Sequence, residues 1–166
     1  MLRYILIFVV LLISLFTLEL LPWGQYWLVQ PFTQVIAQLS GQLLQLFDQD
    51  VNAQGIVLFD SRSGFSVSIE AGCNGVEATL VLMAAMLAFP AGWRMKLFGI
   101  LIGFLAIQVM NLLRIISLFY LGQWNMQAFE WAHLYLWQSL IILDVLVVFL
   151  IWLRYIAKEN PVVVNT

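Results

Sequence analysis

Charge is what this chain lacks most. Of its 166 residues, 7 are Lys or Arg and 9 are Asp or Glu, 10% in all, where an ordinary globular chain carries roughly 25%. Seven basic residues without a cluster cannot neutralise a run of phosphates, which sets nucleic-acid binding aside. A single cysteine, Cys73, excludes an intramolecular disulfide and any multi-cysteine zinc or iron–sulfur site. A single histidine, His133, limits imidazole chemistry to one position. Internal repeats and low-complexity tracts are lacking too. What the chain has in quantity is apolar surface: 63% of residues are hydrophobic and the mean hydropathy is +0.97. Such a chain belongs in a bilayer, and its length suits one unit rather than two.

A spanning helix needs about 20 mostly apolar residues. Four runs of that kind stand out, at about 4–21, 74–89, 97–121 and 132–153. The first follows Arg3 and ends in Leu20, Leu21, Pro22 and Trp23 with no small-residue cleavage site, so an uncleaved anchor is expected. The second stops at Pro90, Ala91 and Gly92, ahead of a short basic loop with Arg94 and Lys96. Lys and Arg near span ends mark the cytoplasmic side. Arg3, Arg94, Lys96, Arg154 and Lys158 fall on one side and Arg62 on the other, which predicts N-in and C-in. The expected architecture is an all-α polytopic membrane protein, one membrane domain over 1–166 with an external segment at 22–72. Within that segment, Val35, Leu39, Leu43 and Leu46 recur at helical spacing and predict an amphipathic helix over 25–47, a prediction that Gly41 weakens. Alternation at 56–59 and 65–69 around Asp60-Ser61-Arg62-Ser63-Gly64 predicts a small external β-hairpin. Trp23, Trp27, Trp124 and Trp131 form an interfacial belt on the external side, and the tail at 160–166 is expected to fray.

The orientation sets the depth of each unusual residue. Cys73 lies at the external mouth of the second run, and His133 opens the fourth at the same level. Arg114 lies short of the external end of the third run by about seven residues, roughly 10 Å at 1.5 Å per residue. Each has a plain explanation. A lone cysteine packs as a small hydrophobe, and a histidine at a helix start serves as an interfacial polar residue. A cation inside a span costs at least about 2.5 kcal/mol, so Arg114 calls for a partner or a function. Their joint placement favours a site. A cysteine at a helix N-terminus has its pKa lowered by the helix dipole and raised by desolvation, with Arg114 or a protonated His133 favouring the thiolate. Gly72 and Gly75 permit close approach of a peptide backbone. Three residues support this set: Asn74 beside the cysteine, Asn111 as an orienter of the guanidinium or an amide donor, and Glu77 as a partner of Arg114 or of other interior polar groups. Asp144, eleven residues after His133, suits a structural role beside a buried donor.

The motifs Glu70-Ala71-Gly72-Cys73-Asn74-Gly75-Val76-Glu77, Asn111-Leu112-Leu113-Arg114-Ile115 and His133, each opening or lying within successive helices, resemble the exosortase/archaeosortase family of membrane cysteine transpeptidases. The resemblance covers roughly 64–153, and the shortness of the chain is most similar to the compact exosortase H branch. It implies Cys73 as nucleophile with Arg114 and His133 as its partners, and it implies no metal and no cofactor. The implied substrates are secreted proteins with a C-terminal sorting tail, composed of a short motif similar to Ile-Pro-Thr-Leu, a transmembrane helix and a basic cluster. The implied location is the bacterial inner membrane, with the site on the external face. Two alternatives from other classes stand beside it. One is a non-catalytic partner subunit locked by an Arg114–carboxylate pair to Asp144 or Glu77. The other is a transporter or metal-handling protein that uses Cys73 and His133 as ligands, which are too few for a closed site.

Overall fold

Helix α1 (Leu2–Leu20) is apolar between Arg3 and the buried Glu19 and leaves most of its surface exposed, with one face against α4 (Val76–Ala88). The computed structural model describes residues 2–159, so the tail expected to fray lies outside them. After α1, Pro22 starts a short helix, α2 (Pro22–Gly24), where its missing N–H and fixed φ suit the first turn. A π-helical turn (Gln25–Val29) leads into α3 (Gln30–Gln45). The predicted amphipathic helix is present as this turn plus α3, whose buried face is Thr33, Ile36, Ala37, Ser40, Gly41 and Leu44. Gly41 strengthens this element: a Cβ there would lie 2.9 Å from the Ala53 Cβ, so its absence lets the sheet lie close against the helix.

Three strands follow: β1 (Val51–Gln54), β2 (Val57–Asp60) and β3 (Ser66–Ser68), antiparallel in the order β1-β2-β3. The predicted hairpin is β2–β3. Strand β1 adds a second hairpin that the sequence pattern did not announce, because Val51-Asn52-Ala53-Gln54 offers a single β-branched residue. Val51 and Leu58 are fully buried with Ile36, Ala37 and Leu44 of α3 and with Phe119 of α5 (Trp93–Trp124). Asp60 pins the sheet to α5. Buried to 1% exposure, it accepts from the Ser63 hydroxyl at 2.6 Å, the Arg62 N–H at 2.8 Å and the Gln123 side-chain amide at 3.4 Å. The Ser63 and Arg62 hydrogen bonds hold its carboxyl below the usual carboxylate range.

Among the described residues, three helical stretches are long and apolar enough to cross a membrane: Leu2–Leu20, Trp93–Trp124 and Met126–Lys158. The last comprises α6 (Met126–Trp131), a π-helical turn (Ala132–Leu136) and most of α7 (Trp137–Glu159). The second expected span, 74–89, takes the form of α4, a shorter apolar helix of 13 residues, about 20 Å at 1.5 Å per residue against a hydrocarbon core of about 30 Å. Its start is delayed by Gly75, which is left-handed, and its end is fixed by extended Phe89 before Pro90. Lys96 caps that end by donating to the Leu87 carbonyl at 2.6 Å. A second apolar core, built on Leu82, Met86, Ile107, Trp152 and Ile156, joins α4, α5 and α7. There the Trp152 indole N–H donates to the Met95 carbonyl at 3.0 Å.

Candidate active site

The segment between β3 and α4 is held from three directions. From α4, the Glu77 carboxylate accepts the Gly72 N–H at 2.5 Å. From α3, the Thr33 hydroxyl accepts the Asn74 side-chain amide at 2.9 Å, while the Asn74 Oδ1 accepts the Val76 N–H at 3.0 Å. From α5, Gln108 and Asn111 crowd Gly75, where a Cβ would fall 2.9 Å from Gln108 Nε2 and 3.3 Å from Asn111 Cγ. Gly75 also has φ 77°, a backbone state that only glycine adopts without a Cβ penalty. Within the segment, the Cys73 N–H donates to the Glu70 carbonyl at 3.0 Å and closes a tight turn. Asn74 is fully buried and structural, and it fixes the cysteine loop to α3.

This rigid turn delivers Cys73 to the two other singular residues. The Cys73 Sγ lies 3.1 Å from His133 Nε2, hydrogen-bond distance for sulfur. Arg114 Nη2 approaches the same sulfur at 3.6 Å while its Nη1 donates to the Gly72 carbonyl at 3.1 Å. The guanidinium thus spans the nucleophile and the peptide bond before it. Arg114 is 3% exposed and sits ten residues before the last residue of α5, a little deeper than its sequence position suggested. No ion pair joins it to a carboxylate among the described residues, and its Nε has no hydrogen-bond partner. His133 occupies the π-helical turn, whose widened geometry breaks the α6–α7 register; such single turns recur at functional sites. The Phe129 ring lies 5.6 Å from the imidazole and supports it from the preceding turn.

Electrostatics at the sulfur follow from this packing. Burial pushes the Cys73 thiol up, Arg114 pulls it down, and Glu77 and Glu70 push it up again. Burial wins, so the resting sulfur is a neutral thiol rather than the thiolate that the helix N-terminus and the guanidinium would favour. The chemistry open to it is therefore proton removal by the adjacent imidazole at the moment of attack.

Of the supporting residues, Glu77 serves the loop and forms no ion pair with Arg114 among the described residues. Asn111 is fully buried on α5, and both amide atoms lack partners among the described residues. It neither hydrogen-bonds the guanidinium nor is satisfied elsewhere. The buried Oδ2 of Asp144 likewise has no hydrogen-bond partner among the described residues. Sequence reasoning passed over Gln108 and Thr33. Gln108 stands one turn before Asn111 on the same face of α5, its amide buried and unpartnered, and that i, i+3 spacing in an apolar helix was the available signal. A cavity of about 270 Å³ opens beside these groups, lined by Arg114, Asn111, Gly72 and Glu77 and by the apolar Val81 and Ile141. A smaller one, about 40 Å³, is lined by β3 together with Cys73 and His133.

Among the described residues, no group of three or more His, Cys, Asp or Glu side chains is placed to hold a metal ion. The family model for transmembrane exosortases (Exosortase_EpsH) matches residues 3–153. The chain belongs to the transmembrane exosortase family. The match runs from α1 through most of α7 and so includes the cysteine turn, Arg114 and His133. As an exosortase, the protein is a membrane protein of a transpeptidase or protease family. No curated protein and no solved structure matches this exosortase.

Proposed function

We propose that this exosortase is a cysteine transpeptidase or protease that cleaves the C-terminal sorting tail of secreted proteins through a thioester on Cys73. The observation that carries it is the joint approach of His133 Nε2 at 3.1 Å and Arg114 Nη2 at 3.6 Å to one sulfur. His133 takes the thiol proton as the sulfur attacks the carbonyl carbon on the upstream side of the scissile bond. The oxyanion develops beside Arg114, whose charge has no carboxylate to neutralise it, and Asn111 offers a second unused donor. Collapse of the tetrahedral intermediate breaks the C–N bond, and the proton on His133 passes to the leaving amine. The upstream product stays as the Cys73 thioester until water, an amine or a hydroxyl takes the acyl group. No metal or cofactor enters any step.

The tail is proposed to have the family form, a short motif of the Ile-Pro-Thr-Leu type, a transmembrane helix and a basic cluster, consistent with the compact exosortase H branch. The proposed setting is the bacterial inner membrane with both termini inside. The cysteine turn, the sheet and His133 share one end of the bundle, while Arg94 and Lys96 open α5 at the other. A partner-subunit role would need an Arg114–carboxylate lock, and no such pair occurs among the described residues. Cys73→Ala tests the function: the variant is expected to accumulate and insert like the wild type and to leave sorting-tail substrates uncleaved, and retained cleavage would remove the nucleophile.

A further inference from the structure

Strand β3 ends the sheet, and its outer edge faces no other strand. Which of its backbone groups point outward follows from the register. Ile69 N–H donates to the Ile56 carbonyl at 2.9 Å and Asp60 N–H to the Phe65 carbonyl at 2.9 Å, so Phe65, Val67 and Ile69 turn their backbone groups toward β2. Ser66 and Ser68 alternate with them and turn theirs outward. Both are exposed, and their N–H and C=O groups have no partner among the described residues. Edge strands usually carry a lysine, a proline or a covering segment that prevents pairing. Ser66-Val67-Ser68 carries none of these.

The position of this edge gives it a use. The turn closed by Cys73 N–H and the Glu70 carbonyl folds the chain back beside β3. Val67, Ser68 and Ile69 therefore share the small cavity with Cys73 and His133, walled on its far side by Ile115, Leu118 and Phe129. An acyl donor must bring one backbone carbonyl to Sγ in a fixed pose, and a strand paired to β3 holds its carbonyls in such a pose by main-chain hydrogen bonds. The outward groups of Ser66 and Ser68 repeat about every 6.8 Å, two residues of an antiparallel strand. We propose that the substrate peptide on one side of the scissile bond binds as a fourth strand on the free edge of β3, so that this edge aligns the scissile carbonyl with Cys73. The proposal rests on the cysteine-peptidase function above and specifies how the substrate is held.

The test uses the full-length protein in membranes with a sorting-tail substrate, reading cleavage kinetics and the acyl adduct on Cys73. Ser68→Pro removes an outward N–H while leaving every bond to β2 in place, a substitution that edge strands tolerate. Ser68→Ala keeps the N–H and removes the hydroxyl with its hydrogen bond to the Glu70 carboxylate at 2.8 Å. Ser68→Pro is expected to raise KM at least tenfold, with alkylation of Cys73 by iodoacetamide unchanged as the measure of an intact site, and Ser68→Ala to raise it by much less than Ser68→Pro. Substrates with single N-methylated amides on either side of the scissile bond supply a second arm that leaves the protein untouched. Their losses are expected to alternate with a period of two residues on one side. Unchanged KM in Ser68→Pro together with no period-two pattern overturns the edge while leaving the nucleophile intact. Cross-linking that shows β3 pairing with a second copy, abolished in Ser68→Pro with cleavage unaffected, overturns it also. A wild-type protein that forms no adduct with any sorting tail removes the peptidase function itself, and the edge's role with it.

Discussion

At Cys73 three influences meet, and their balance decides how the nucleophile is made. Burial and two nearby carboxylates raise the thiol while the Arg114 guanidinium lowers it. A raised thiol is mostly neutral near pH 7, and its thiolate fraction grows as pH climbs past the ordinary cysteine range of about 8.5. The alkylation rate of Cys73 by iodoacetamide, followed against pH, is therefore expected to reach its half-maximum above that range. In Arg114→Ala the guanidinium that lowers the thiol is gone, so the curve is expected to move to still higher pH. A half-maximum below pH 7 in the wild type would show a preformed thiolate instead. The three principal residues were legible in the sequence because each is chemically rare in an apolar chain and each fell toward the expected external end of its run. Gln108 and Thr33 were not, because their roles are contacts with Gly75 and Asn74 that exist only after α3 and α5 pack on the cysteine turn.

Among the elements, the turn before α4 and the sheet do most to place the site. Gly75→Ala meets two costs: a left-handed residue with a Cβ loses about 1–2 kcal/mol, and the new Cβ lies 2.9 Å from Gln108 Nε2. The variant is expected to lose stability of that order in thermal unfolding, and to lose activity as the cysteine turn shifts. Adding Gln108→Ala is expected to recover the part due to crowding but not the part due to φ. Asp60 supplies a pH signature. Its folded pKa is lowered, so its contribution to stability is fully present above the ordinary carboxylate value of about 4 and is lost as pH falls through the lower folded value. Unfolding of the wild type is expected to show this acid-side loss, and Asp60→Asn to flatten it. The hairpin β2–β3 was legible from its alternation and turn. Strand β1 was not, since it is held by register with β2 and by Gly41 against Ala53 rather than by its own composition. Nor was the π-helical turn at His133, because a one-residue expansion leaves no trace in hydropathy.

For the whole molecule, apolar composition and run length revealed a polytopic helical protein, and among the described residues the four runs appear as three long apolar helices and one shorter one, cut by backbone geometry at Gly75 and Pro90, which hydropathy averages over. The proposed orientation predicts that a membrane-impermeant maleimide reaches Cys73 from the external side of sealed cells, and that tags on both termini are reached only after permeabilisation. Labelling from the inside alone would reverse the topology.

The central claim is that Cys73 carries the acyl group, and mass spectrometry of that cysteine after incubation of the membrane-embedded protein with a sorting-tail substrate tests it most directly. The account predicts a hydroxylamine-sensitive adduct with the mass of the upstream product, absent in Cys73→Ala and strongly reduced in Arg114→Ala and His133→Ala. Cleavage of the tail with no such adduct, and with Cys73→Ala as active as the wild type, would contradict it.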